Sequence, residues 1–190
     1  MVTLLKGTHN SCTGEKGKGL LSKLITPFAK CQSKTISEQI IEGVTYFDLR
    51  IAYDKHDNLI ICHGLWKCKK SLNDVVNRID LYARRIEHKV YVRFMYEKRF
   101  KSEAQKLKFI EWFNKFNFRT KFIVTEVWFK KPYLVKYYTN KKAVPYEEAF
   151  VGLPVVKGRW EWLLPIPYLW YKIKGKVKFD KDKYKLIDFI

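Results

Sequence analysis

Three short segments of the chain carry the side chains best suited to act on a phosphate ester. They are Gly7-Thr8-His9-Asn10-Ser11, Tyr46-Phe47-Asp48-Leu49-Arg50 and Ile61-Cys62-His63-Gly64. A neutral imidazole can remove a proton from an attacking hydroxyl, and a protonated one can give a proton to the leaving oxygen. A guanidinium keeps its charge and can hold two phosphate oxygens in a fork. His9, His63 and Arg50 therefore predict acid–base chemistry on a phosphodiester.

The prediction depends on the three segments together. Asp48 lies two residues before Arg50, so on a strand the two side chains share one face. The carboxylate could tune the site, or it could only form a salt bridge with Arg50. A single histidine is more often structural or superficial, and His56 and His88 lie in predicted loops without a supporting motif.

The three segments lie beside predicted strands that alternate with helices. Thr35 and Ser71 are predicted to cap helices, and Gly43 to end the first of them. The pattern predicts strands over 2–5, 44–53, 59–62, 90–96, 121–128, 149–156 and 184–190, and helices after residues 35, 71 and 102. Strands alternating with helices of this length favour an α/β fold around a parallel sheet. No linker or repeat divides the chain, so we expect one domain over 1–190.

The charge of the chain favours a polyanionic partner. Lys and Arg number 38 and Asp and Glu 19, which gives a net charge of +19. A nucleic acid, an anionic membrane surface and a phosphorylated ligand all fit that charge, and so does a basic surface with no specific partner. No nucleic-acid-binding motif is found, so no nucleic acid is expected. A hydrophobic content of 47% and an aromatic content of 16% argue against a disordered chain.

Targeting signals and cysteines set the expected compartment. The first twelve residues turn polar too soon for a signal peptide, and no run of 18 apolar residues exists. We therefore expect a cytoplasmic protein, peripheral to membranes. The four cysteines, Cys12, Cys31, Cys62 and Cys68, are expected to be reduced, although a Cys12–Cys31 bridge stays open.

In order and spacing, five strings resemble the X-box of phosphatidylinositol-specific phospholipase C. They are GTHNS, ISEQIIEG, VTYFDLRI, NLIICHG and SLNDVVNRI, and the resemblance is strongest over 7–99. The calcium-independent bacterial branch is more similar than the eukaryotic one. The resemblance implies a TIM-type (β/α) barrel. The chain has 190 residues, whereas such barrels usually need about 200 or more, so we expect a small barrel that is incomplete or distorted.

The resemblance also implies a role for each matched residue. His9 matches the general base on the inositol 2-hydroxyl, and His63 matches the general acid for the diacylglycerol oxygen. Arg50 stands where the bacterial branch has an arginine and the eukaryotic branch a calcium-binding carboxylate. Asn10 matches a calcium ligand in the eukaryotic branch and an aspartate in the bacterial one. Asp48 matches an acidic residue in both branches.

Three further expectations complete the predicted site. The string LIDFI resembles the last strand of the family, where an aspartate hydrogen-bonds the general base, so Asp188 is expected to pair with His9. Asn10 and Arg93 are expected to bind substrate. No metal or cofactor is expected, because Arg50 puts a fixed positive charge where calcium would sit and the strand over 90–95 adds no carboxylate.

The sequence thus predicts a metal-independent phosphodiesterase that cleaves phosphatidylinositol to diacylglycerol and a cyclic inositol phosphate. The alternative is a catalytically silent protein of the same fold that binds phosphoinositides or another polyanion, nucleic acid included. We expect a monomer that touches an anionic membrane through Leu20–Phe28 and Trp160–Tyr171. The second stretch could equally be core.

Overall fold

The computed structural model describes residues 6–86, 90–97, 102–115, 121–128, 131–133 and 185–187. The strands of these ranges are β1 (Lys6–Thr8), β2 (Val44–Tyr53), β3 (Leu59–His63), β4 (Trp66–Lys67), β5 (Tyr91–Tyr96), β6 (Lys121–Trp128), β7 (Lys131–Tyr133) and β8 (Lys185–Ile187). The helices are α1 (Gly19–Ala29), α2 (Ile36–Ile41), α3 (Leu72–Ala83) and α4 (Glu103–Lys115), and a 3₁₀ turn covers Ser11–Gly14.

The centre of the fold is a parallel sheet. Strands β8, β1, β2, β5 and β6 lie side by side in that order and run in one direction. The late strand β8 therefore lies beside the first strand, which is the cyclic order of a (β/α) barrel. Three antiparallel strands are attached to this sheet: β3 pairs with the last third of β2, β4 pairs with β3, and β7 pairs with β6. The predicted α/β class is confirmed.

Two helices begin at the predicted caps, and each start forms a capping box. The Thr35 hydroxyl accepts from the Glu38 amide, and the Ser71 hydroxyl accepts from the Asp74 amide at 3.1 Å. Each acidic side chain accepts in return from the amide of its capping residue, so two donors that a helix start leaves unpaired are satisfied. Gly43, at φ 77°, turns the chain out of α2 and into β2, a conformation that suits glycine.

The core forms where α3 and α4 pack against the sheet. β2 is buried at nearly every position because it has neighbours on both sides. On α3 the apolar residues at helical spacing are buried, namely Leu72, Val75, Val76 and Ile79. On α4, Phe109 and Phe113 each pack edge-on against Phe94 of β5, with ring centroids 6.1 Å apart. These contacts fix β5 and therefore the end of the strand that faces the site.

Strand β1 covers Lys6–Thr8, directly after the strand predicted over 2–5. The polar segment over 6–11 favours a turn, yet Lys6–Thr8 pair with both β2 and β8. The polar character misleads because Thr8 is wholly buried and its hydroxyl donates to Gln39 Oε1 at 2.8 Å. The consequence is that His9 follows a strand directly. The strands predicted over 2–5 and 149–156 lie outside the described residues, as does Trp160–Tyr171.

Two further findings concern the cysteines and the helices of the described ranges. Each of the four cysteines is a buried thiol, so the Cys12–Cys31 bridge that the sequence left open does not form. No helix among the described residues has both the length and the apolar character to cross a bilayer.

Phe94 should be a principal support of this core. Replacing it with alanine is expected to lower the free energy of unfolding by about 3–5 kcal/mol, because the truncated side chain leaves a cavity between β5 and α4. Urea unfolding followed by fluorescence measures the change. Leu107→Ala is the control, since Leu107 lies on α4 but is 53% exposed. Equal losses in the two variants would contradict the packing described.

Candidate active site

The predicted site residues converge at one edge of the sheet. Strands β1, β2 and β5 are parallel, and the functional side chains of parallel barrels lie at the carboxyl ends of the strands. His9 follows β1, Asp48 and Arg50 lie near the end of β2, and Arg93 pairs in register with Asp48. His63 ends β3, which runs antiparallel to the last residues of β2 and so reaches the same region.

The turn that carries His9 is held by buried side chains. Gln32 Nε2 donates to the His9 carbonyl at 2.8 Å, and Thr13 Oγ1 donates to the Asn10 carbonyl at 2.9 Å. Asn10 has φ 46°, a left-handed conformation that asparagine tolerates better than most residues. The backbone at His9 and Asn10 is therefore fixed by contacts with residues 13 and 32.

Asp48 is the buried anion at the centre of this cluster. Its carboxylate lies 3.6 Å from Arg93 Nε, 3.8 Å from Arg50 Nε and 3.9 Å from His9 Nε2, and it accepts from the Asn10 amide at 3.1 Å. Burial on its own would raise the pKa of Asp48, but the two guanidinium groups, His9 and the amide lower the pKa overall. The group is thus an ionised carboxylate that pairs with both arginines.

Arg50 links the two sides of the cluster. Its Nη1 donates to Glu97 Oε1 at 2.9 Å, and its Nη2 lies 2.6 Å from His9 Nε2. A guanidinium only donates, so His9 Nε2 must be the acceptor, and in the neutral ring the proton is on Nδ1. The atom of His9 that faces the cluster is therefore an unprotonated nitrogen.

His63 is held through its Nδ1, which leaves its Nε2 facing the cluster. Its Nδ1 lies 2.8 Å from the Ala29 carbonyl at the end of α1, and because a carbonyl only accepts, Nδ1 carries a proton. Its Nε2 lies 3.3 Å from the side-chain amide of Asn10, on the side of the cluster. Nε2 is therefore the nitrogen of His63 that can gain or lose a proton there.

The structure brings six of the predicted residues together: His9, Asn10, Asp48, Arg50, His63 and Arg93. Arg93 is 3% exposed and lies behind Asp48, so it faces the carboxylate and not an open surface. Asp188 lies outside the described residues, and its pairing with His9 stays a prediction. Within the ranges described, no group of three or more His, Cys, Asp or Glu side chains is arranged to hold a metal ion.

One acidic residue of the cluster escapes the sequence analysis. Glu97 follows β5, and besides Arg50 it accepts from the Gly64 amide at 2.5 Å. The strand over 90–95 has no carboxylate, and Glu97 lies two residues beyond Met95. The available signal was the alternation of the strand, because the side that carries Arg93 and Met95 also carries the residue two further on.

Comparison with known proteins finds similar structures but no similar sequence family. No protein-family model matches the chain, and no curated protein matches it. The solved phosphatidylinositol-specific phospholipase C from Listeria monocytogenes matches with a TM-score of 0.52 and 21% identity, over 71% of this chain and 54% of that chain. A mutant of the phosphatidylinositol-specific phospholipase C from Staphylococcus aureus matches with a TM-score of 0.57 and 13% identity, over 98% of this chain and 71% of that chain.

At these identities the likeness establishes the fold. The chain has the fold of the bacterial phosphatidylinositol-specific phospholipases C, a TIM-type barrel, and it spans about half the length of the Listeria enzyme that it matches. Among the described strands the sheet is open, with β7 at one end, which agrees with the small and incomplete barrel predicted from the sequence.

His63 should titrate below the ordinary histidine value. Burial lowers its pKa, Arg50 lowers it further, and Glu97 acts in the opposite direction. The unfolded chain therefore binds more protons than the folded chain between the two pKa values, and stability rises with pH across that window. NMR titration of the His63 ring protons measures the folded value, and the urea-unfolded chain supplies the reference. A folded pKa at or above the reference would contradict the buried environment.

Proposed function

We propose that the chain is a metal-independent phosphodiesterase that cleaves an inositol phospholipid. The observation that carries this proposal is that one cluster contains both histidines and Arg50. Arg50 contacts His9, and Asn10, which is hydrogen-bonded to Asp48, contacts His63. Two imidazoles and a guanidinium around one space match the needs of phosphodiester cleavage. The fold shared with bacterial phosphatidylinositol-specific phospholipases C supports the choice of substrate class.

The proposed reaction begins when a phosphate oxygen replaces His9 on Arg50 Nη2. His9 Nε2 is then free to take the proton of the inositol 2-hydroxyl, whose oxygen attacks the phosphorus. The bond from phosphorus to the glycerol oxygen breaks, and His63 gives its Nε2 proton to that oxygen. Diacylglycerol and a cyclic inositol phosphate result. Because attack is intramolecular, positioning and charge stabilisation supply most of what the reaction needs.

Asn10 suits a histidine that changes its protonation state. When His63 Nε2 is unprotonated it can accept from the Asn10 amide nitrogen. When Nε2 is protonated it needs an acceptor, and Asn10 Oδ1 is buried without a hydrogen-bond partner among the described residues. A turn of the amide about its own axis would present that oxygen, so one side chain can serve both states.

Arg50 supplies the positive charge of the proposed mechanism. Burial by itself would lower its pKa, but Asp48 and Glu97 raise the pKa overall, so the guanidinium stays charged. It is fixed by these two carboxylates while its Nη2 points to His9. A preorganised cation of this kind stabilises the negative charge that develops on the phosphate oxygens. In the proposed mechanism it takes the place of a calcium ion.

A membrane surface fits the face next to the site. Helix α1 exposes Leu20, Leu21, Leu24 and Phe28 to extents of 73%, 58%, 64% and 52%. Its last residue is Ala29, whose carbonyl contacts His63. An exposed apolar helix face flanked by lysines is typical of segments that lie in a lipid interface. We therefore include a peripheral membrane contact through α1 in the proposal.

Cleavage should be observable directly. With phosphatidylinositol vesicles and excess chelator, phosphorus NMR is expected to show a cyclic inositol phosphate, since no step uses a metal. His9→Ala and His63→Ala should each lower the rate by about 10²–10⁴-fold, the usual contribution of an acid or base. Loss of activity with chelator would refute the metal-free mechanism. Vesicle binding without cleavage by the unmodified protein would favour the catalytically silent alternative.

Helix α1 should govern vesicle binding. Leu20→Ser with Leu24→Ser is expected to weaken binding to phosphatidylinositol vesicles by about tenfold or more, because burying a leucine contributes about 1.5–3 kcal/mol. Cleavage of a soluble inositol phosphodiester should change little. Sedimentation with vesicles measures the first effect. Leu107→Ser, at an exposed position of α4, is the control, and an equal loss in that variant would show that the effect is not specific to α1.

A further inference from the structure

We infer that Glu97 is a positioning residue that ties Arg50 and the His63–Gly64 turn into one geometry. The inference rests on the proposed function and adds a residue to it. Glu97 lies one residue beyond β5, and its amide donates to the Ile51 carbonyl at 3.0 Å. Its backbone is thus fixed to β2 just past Arg50.

The two oxygens of the Glu97 carboxylate have different partners. Oε1 accepts from Arg50 Nη1 at 2.9 Å, and Oε2 accepts from the Gly64 amide at 2.5 Å. The Cys62 thiol, at 3.7 Å, also donates toward Oε2. One carboxylate therefore contacts the residues on either side of His63 and, at the same time, the cation that is to bind phosphate.

Because the Glu97 carboxylate is buried, both of its oxygens need hydrogen-bond donors. The Glu97 side chain is 10% exposed, and a buried carboxylate is costly unless both oxygens are hydrogen-bonded. A glutamine at this position has the same shape but only one acceptor oxygen. Because Arg50 and Gly64 donate to different oxygens of the carboxylate, a glutamine in the same position has an oxygen for one of these donors and an NH₂ group facing the other. The link between the two sides of the cluster requires the carboxylate itself.

The same residue sets part of the electrostatic environment of His63. The charged and titratable groups that act on this ring come from three elements: Arg50 on β2, His9 after β1 and Glu97 after β5. Arg50 and His9 lower the pKa of His63, and Glu97 raises it. Asn10, which contacts the ring directly, is uncharged. Glu97 thus opposes the loss of the proton that His63 must donate.

Glu97→Gln separates this role from a merely structural one. We expect kcat for phosphatidylinositol cleavage to fall by up to about 100-fold, since a small misplacement of reacting groups can cost that much. Vesicle binding should be unchanged. The alkaline limb of the kcat/KM profile and the NMR titration of His63 should both move to lower pH. The Gly64 amide proton, which should resonate downfield in the unmodified protein, should move upfield.

Glu42→Gln is the matched control. It removes the same charge by the same substitution from a residue that pairs with Lys34 at 2.7 Å and is 47% exposed. Glu42 lies before the start of β2, at the opposite end of the strand from Arg50. This variant should match the unmodified protein in kcat, pH profile and His63 titration.

The outcomes distinguish this inference from the proposed function. If the unmodified protein cleaves phosphatidylinositol and the Glu97 and Glu42 variants behave alike, the positioning role is overturned and the activity stands. If the unmodified protein does not cleave, the proposed function fails, and the Gly64 and His63 resonances still decide whether Glu97 links them. Should the Glu97 variant not fold, an ordinary solvent-type shift for the Gly64 amide of the unmodified protein would overturn the inference.

Discussion

The rest of the cluster depends on the ion pairs that the Asp48 carboxylate forms with two arginines. This carboxylate is inaccessible to solvent and faces the guanidinium groups of both Arg50 and Arg93, 3.8 and 3.6 Å away. Without it, two positive charges would be left at the centre of a small barrel with much of their counter-charge removed, a strongly unfavourable arrangement. The Ser11 hydroxyl, which accepts from the Asp48 amide at 2.7 Å, ties this strand to the turn that carries His9. Charge balance and chain geometry are thus set at one position.

The charges of the cluster are nearly balanced although the chain is strongly basic. Asp48 and Glu97 face Arg50 and Arg93, and each imidazole accepts a hydrogen bond at Nε2, His9 from Arg50 and His63 from the Asn10 amide. The net charge of +19 must therefore lie mainly outside this group. The excess positive charge of the chain can attract anionic surfaces in general, whereas the charges of the cluster set the electric field at a single bound phosphate.

The sequence predicted those features that are encoded within a few neighbouring residues and missed those that depend on residues distant in the chain. The β2 strand over 44–53 and the helices capped by Thr35 and Ser71 were predicted correctly, because burial patterns and capping boxes are encoded within a few residues. The strand at Lys6–Thr8 was not predicted, because the polar Thr8 is satisfied by Gln39 of α2, which lies 31 residues further along the chain. Glu97 was missed for a related reason. Its importance comes from Gly64 and Arg50, which are distant in sequence and meet it only in the fold.

The end of α1 joins two properties that are usually separate. Ala29 is the last residue of this helix, and its carbonyl fixes the tautomer of His63, while the outer face of the same helix is apolar and exposed. Any tilt or translation of α1 would therefore lengthen or break the hydrogen bond to Nδ1 and release the imidazole to rotate or change tautomer. The side of α1 that is open to solvent and the proton position of one imidazole thus depend on the placement of a single helix.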